Sequence, residues 1–242
     1  MFKYRDFNWC TPAQAEMPQF AEAEVRTKDG ETRHVWYAAG KKNAPTILYL
    51  HGNAYSIATI AFIFGPYVNA GFNVCLPEYR GFGASGGKLS EAGFVLDARA
   101  AYEFLRARGH KDIIIHGCSM GTSVASKLAA ELEASGEKLG GVILESPFYN
   151  LCSMAPNIIC KKLLLGNKFK TNEYVRGIKN SPVLLMHGVL DRLVGLEQGA
   201  RLFPEIASDN KRFHVIGTGT HELFNSGSLE YAAEWIKRNK PR

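Results

Sequence analysis

A serine between two glycines, a later aspartate and a still later histidine are the residues of this 242-residue chain whose types and order could do chemistry. Ser119 lies in GCSMG, between Gly117 and Gly121, a pattern that suits a tight strand-to-helix turn with the hydroxyl left exposed. A serine hydroxyl is a weak nucleophile until a base takes its proton during attack. A histidine is therefore required, with a carboxylate to orient it. Asp191, in LLMHGVLDRLV, and His221, in GTGTHELF, follow Ser119 in that order, each after a separate apolar run.

Taken singly, Asp191 is an ordinary loop or helix-capping residue and His221 an ordinary loop histidine. Their order after Ser119 points to acyl transfer, with Ser119 as nucleophile, Asp191 as acid and His221 as base. Charge that builds on the carbonyl oxygen needs donors. The backbone N–H of Met120, opening the helix after Ser119, and that of Asn53, after Gly52 in LHGNA, are the candidates for this oxyanion hole. The base must be neutral to accept a proton, so turnover is expected to fall as pH drops through about 6.5. A pH–rate profile flat down to about pH 5 would count against a histidine base.

Other residues carry less. His51, His116 and His187 each precede a glycine at the end of an apolar run, where structural hydrogen bonds are the expectation, and His34, His110 and His214 suggest no chemistry. No carboxylate and histidine cluster has metal-ligand spacing and no G-x-x-x-x-G-K-[ST] occurs, so neither a metal nor a cofactor is expected. Five cysteines without a C-x-x-C pair indicate neither a disulfide framework nor a zinc site, and fit a reducing, cytoplasmic location. The net charge of +6 is spread along the chain rather than gathered into a basic stripe with interleaved aromatics, so no nucleic-acid partner is expected. No run of about 18 apolar residues predicts a transmembrane segment. The start, MFKYRDFNWC, is broken by Lys3, Arg5 and Asp6, unlike the apolar core of a signal peptide.

The elements that must position these residues follow from periodicity. AEAEVRT (21–27) and TRHVWYAA (32–39) flank the turn residues Asp29 and Gly30, which predicts an antiparallel hairpin. Six short apolar runs follow, at 46–50, 72–77, 112–117, 141–145, 182–188 and 212–217, each continuous enough for a strand buried on both faces. Helix-period segments lie among them at 54–69, 90–109, 121–134, 196–207 and 226–239. The alternation predicts an α/β fold with a mostly parallel sheet and helices on both faces, and ligands in such sheets bind at the carboxyl ends of strands. A chain of this length and 46% hydrophobic composition is expected to form one domain over residues 1–242.

LYLHGNA, PEYRGFGASGGKLSE, IIIHGCSMGTSVASKLAAE, VILESPF, PVLLMHGVLDRLV and GTHELF resemble, in order and spacing, the α/β-hydrolase-domain serine hydrolases. The nearest branch carries an HGN oxyanion loop and includes depalmitoylating thioesterases and uncharacterised bacterial hydrolases. The resemblance covers residues 35 to 238. It implies the α/β-hydrolase fold, Ser119, Asp191 and His221 as the triad, and backbone donors at Asn53 and Met120. Glu78 stands where that family usually has aspartate, and Thr220 where glycine is common. Cys10 alone stands in place of the depalmitoylases' N-terminal cysteine cluster, so membrane-anchored depalmitoylation is not supported.

Between ESPF and the next strand only residues 149–181 intervene, too few for a lid domain, so a minimal cap is expected. Met154, Ile158, Ile159, Leu163, Leu164 and Leu165 suffice for one amphipathic helix there, either walling an acyl pocket or packing on the sheet edge. The expected substrates are small acyl esters or thioesters. An acyl-protein or acyl-CoA thioesterase is the alternative, and a non-catalytic binding protein on a hydrolase scaffold the third possibility. The residues leave acyl length, leaving group and oligomeric state open.

Overall fold

The computed structural model describes residues 9–154 and 168–239. Eight strands form one sheet: β1 (Ala21–Arg26), β2 (Thr32–Ala38), β3 (Thr46–Leu50), β4 (Asn73–Pro77), β5 (Ile113–Cys118), β6 (Gly141–Glu145), β7 (Val183–Gly188) and β8 (Lys211–Ile216). Their spatial order is β1-β2-β4-β3-β5-β6-β7-β8. The hairpin pairs antiparallel, from Ala21 opposite Tyr37 to Arg26 opposite Thr32, and β2 joins β4 antiparallel, whereas β3 to β8 run parallel.

The centre of the sheet, β3 to β7, is buried because these strands are apolar on both faces. Alternate residues point to opposite sides of a strand. Thus Leu48, Leu50, Ile115, Leu144 and Leu185 pack in one core, and Ile47, Ile114, Ile143, Leu184 and Met186 in the other. Two of the longer helices, α3 (Glu91–Ala107) and α4 (Met120–Ala134), supply the first core through Phe94, Ala98, Leu105, Val124 and Leu128. The start of α3 is capped as its sequence indicates, with Ser90 Oγ accepting the Gly93 N–H at 3.0 Å. The last helix, Ser228–Arg238, supplies the second core through Leu229, Ala232, Trp235 and Ile236.

Three expectations need correction. The helix expected over 54–69 is broken into α1 (Ile57–Ile60), a 3-10 turn (Ala61–Phe64) and α2 (Gly65–Asn69). Pro66 lacks an N–H and its ring clashes with the preceding turn, so it begins a helix rather than continuing one. The helix expected over 196–207 ends at Leu202 and continues only as a 3-10 turn, Phe203–Glu205, for the same reason at Pro204. The strand at 212–217 is not buried on both faces: β8 is the sheet's edge, where Val215 is 44% exposed and His214 stacks flat on Tyr231. Within 149–181 the chain forms 3-10 turns at Leu151–Met154 and Val175–Gly177 and a short helix, Thr171–Tyr174. The apolar residues of the expected amphipathic helix beyond Met154 lie outside the described residues.

Candidate active site

Ser119 sits between β5 and α4 with φ 51° and ψ −117°, a conformation costly for a residue with a Cβ. Close packing on either side imposes it. A Cβ on Gly117 would lie 2.3 Å from the Gly121 oxygen, and one on Gly121 would lie 1.9 Å from the Leu50 oxygen. No other residue type allows strand, turn and helix to approach so closely. The turn is then held by hydrogen bonds: Ser119 N–H donates to the Glu145 carbonyl at 2.9 Å, and Thr122 donates to the Ser119 carbonyl through both its N–H and its hydroxyl. Met120, whose side chain is buried, is the first residue of α4, where backbone N–H groups have no partner within the helix.

Asp191 follows β7. Its Oδ1 accepts the N–H groups of Leu193 at 2.9 Å and Val194 at 2.8 Å, and its Oδ2 lies 2.8 Å from His221 Nδ1. His187 Nε2 donates to the Val194 carbonyl at 2.8 Å and also lies 3.5 Å from Asp191 Oδ2. Burial by itself would raise this carboxyl. The bonds from His187, His221 and Val194 N–H, and the charge of His221, outweigh burial and hold it well below the usual carboxylate range. Asp191 therefore stays ionised at any pH where an imidazole titrates, so the acid limb of a pH–rate profile should fall with the slope of a single proton.

His221 lies in the loop after β8. An ionised carboxylate can only accept, so the proton on Nδ1 belongs to the bond with Asp191, and Nε2 is left as the basic atom. The backbone of His221 is held as well, since Ser146 Oγ donates to its carbonyl at 3.2 Å from the end of β6.

Ser119, His221 and Asn53 line one cavity of about 660 Å³, a size suited to a small-molecule ligand. Its interior is largely apolar, with Tyr49, Ile60, Ile63 and Phe224 in the walls and the exposed Leu190 and Leu193 near Arg192. The Tyr55 hydroxyl, from the loop after β3, donates to the Glu222 carboxylate beside His221. Cavity and residues together thus lie at the carboxyl ends of β3, β5, β7 and β8. Met120 is not among the lining residues.

Glu145, which no catalytic motif in the sequence marks, also belongs to the site. It closes β6, is 2% exposed, and lines the same cavity. Its Oε2 lies 2.9 Å from His116 Nε2, whose Nδ1 is 2.9 Å from the Tyr67 hydroxyl, and its Oε1 accepts from Ser228 Oγ at 3.2 Å. A carboxylate ending the otherwise apolar GVILE was the available signal, because buried acids are kept only with partners. Ser146, with φ 50°, gave no such signal. Among the described residues no group of three His, Cys, Asp or Glu side chains is arranged to hold a metal ion, and no helix is long and apolar enough to cross a membrane.

Residues 41–181 match the model of the family described as serine aminopeptidase, S33. Among individual proteins, the chain is 29% identical to protein bem46 of Schizosaccharomyces pombe over 95% of its own length and 80% of that protein's. It is 31% identical to the lysophosphatidylserine lipase ABHD12 of Danio rerio, over 89% of this chain and 60% of that one. In fold it is similar to the Pyrococcus furiosus esterase Pf2001, with a TM-score of 0.78 at 22% identity, covering 98% of this chain and 99% of that one.

Proposed function

The chain belongs to the S33 serine aminopeptidase family of α/β hydrolases, and from that premise we propose that it is a serine hydrolase of carboxylic esters or thioesters. The observation that carries this reading is the 2.8 Å bond from His221 Nδ1 to Asp191 Oδ2, made beside a cavity shared with the strained Ser119. That bond fixes the tautomer a general base needs.

In this mechanism His221 Nε2 takes the Ser119 proton as Oγ attacks the acyl carbon, and Asp191 stabilises the imidazolium that forms. The oxyanion receives the N–H groups of Asn53 and Met120. The imidazolium then protonates the departing alkoxide or thiolate, leaving an acyl-Ser119 ester. Water, deprotonated by the same imidazole, releases the acid and restores the serine. The apolar walls favour an apolar acyl group over a peptide, although the family's description names a peptidase. The names of the lipase and esterase relatives support the ester reading in the same direction.

A panel of p-nitrophenyl esters of graded chain length, the matching acyl thioesters and an aminoacyl p-nitroanilide tests the class. Esters of medium apolar chains are expected to be turned over fastest and the anilide least. Turnover confined to thioesters would select the thioesterase alternative. A silent panel, together with failure of a fluorophosphonate to label Ser119, would leave the non-catalytic binding reading.

A further inference from the structure

In the proposed mechanism the oxyanion receives the Asn53 N–H. That N–H shares a peptide unit with the Gly52 carbonyl. No peptide bond among the described residues is cis, so the two groups point in opposite directions from one rigid plane. Whatever holds the Gly52 oxygen aims the Asn53 N–H.

The holder is His51. Its Nδ1 lies 2.7 Å from the Gly52 oxygen, and a carbonyl only accepts, so Nδ1 carries a proton. Across the ring, Nε2 lies 2.9 Å from Glu78 Oε1, an ion-pair contact that sets the carboxyl group directly against the imidazole without the alignment of a hydrogen bond. The other Glu78 oxygen accepts the Ile57 N–H at 3.0 Å. One carboxyl group therefore grips both ends of the loop that carries Asn53, at the residue following β3 and at the first residue of α1. Both side chains are sealed from solvent, Glu78 at 0% and His51 at 1% exposure, and Tyr79 and Phe82 pack against the imidazole. Gly52 backs onto the nucleophile: a Cβ there would stand 3.3 Å from Ser119 Cβ. The peptide plane is thus set with respect to the attacking atom.

We propose that Glu78 is a positioning residue of the oxyanion hole, acting through His51 on the Gly52–Asn53 peptide, a role that rests on the serine-hydrolase reading of the site. It touches no reacting atom. Burying a carboxylate is costly, and the contacts of its two oxygens are with the oxyanion loop: Oε2 accepts the Ile57 N–H and Oε1 lies against His51.

The test compares Glu78→Leu and Glu78→Gln with the full wild-type chain in hydrolysis of p-nitrophenyl butyrate. It also measures inhibition by a trifluoromethyl ketone, to which Ser119 adds to form a tetrahedral oxyanion. Losing a donor outright costs about a hundred- to a thousandfold. Misaiming one in Glu78→Leu is expected to lower kcat about ten- to a hundredfold with KM within about twofold, and to weaken the ketone by the factor lost in kcat/KM. The amide introduced by Glu78→Gln can donate to His51 Nε2 and accept from the Ile57 N–H, so this variant should recover most of that loss.

A folded Glu78→Leu with wild-type kcat overturns the proposal. So does a loss in KM alone with ketone affinity intact, or a Glu78→Gln as impaired as Glu78→Leu. If Glu78→Leu does not fold, the double variant His51→Phe/Glu78→Gln keeps the ring's packing and leaves no carboxylate unpaired. It should show the same kcat loss, and wild-type kcat in it overturns the proposal equally. Failure of the serine-hydrolase reading itself looks different: Ser119→Ala would then retain the wild-type turnover.

Discussion

Ser119→Ala is expected to lower kcat about a millionfold, close to 8 kcal/mol of transition-state stabilisation, with the protein still folded. The size follows from what one oxygen does. It forms the covalent bond to the acyl carbon, and without it the base and the oxyanion donors act only on a passing water. The fold should not notice the change. The strained turn is held by the Ser119 N–H bond to Glu145 and by Thr122 on the Ser119 carbonyl, both backbone groups of residue 119 that alanine retains. Alanine adopts a φ of 51° no less readily than serine. Thermal unfolding should therefore coincide with wild type while ester hydrolysis falls to the background rate. Retention of even a hundredth of the turnover by a purified, correctly folded variant would remove Ser119 as nucleophile.

Asp191→Asn is expected to lower kcat about ten-thousandfold with little change in KM. Asparagine keeps an oxygen for the N–H groups of Leu193 and Val194, so the loop after β7 has reason to hold its shape. Its amide nitrogen then faces His221 Nδ1, which must accept rather than donate. The ring proton moves to Nε2, the atom that has to receive the Ser119 proton, and the imidazolium loses its counter-charge. Asp191 also bears on stability. The bonds that depress its carboxyl mean that the group stabilises the fold above its unfolded value of about 3.9 and gives that up as pH falls below it. The asparagine variant should lack that share of the acid sensitivity. Steady-state kinetics with a parallel acid titration of unfolding checks both. Wild-type kcat in Asp191→Asn would mean that His221 is oriented by something other than this carboxylate.

Ser119, Asp191 and His221 can be singled out as candidates in the sequence because each depends on local pattern. An apolar run, a tight glycine turn and an amphipathic helix are properties of consecutive residues, and the order of the three along the chain can be read without coordinates. The parallel α/β architecture was legible for the same reason, since short strands apolar on both faces, separated by helical periods, have few other ways to pack. At 54–69 and 196–207 the local cue is proline, which opens α2 at Pro66 and a 3-10 turn at Pro204 where apolar spacing alone suggests one unbroken helix.

The rest belongs to tertiary structure. Nothing in RFHVIG announces that β8 is the edge strand, because exposure of a strand is decided by which strand lies beside it. Glu145, Ser146 and the Glu78–His51–Gly52 chain join residues from separate loops, and their bonds exist only once β3, β4, β5 and β6 stand in register. Residue types and their order along the chain indicate which chemistry is on offer and in what kind of sheet. The fold decided how that chemistry is aimed: hydrogen bonds between distant loops are set by strand order and register, which local periodicity does not encode.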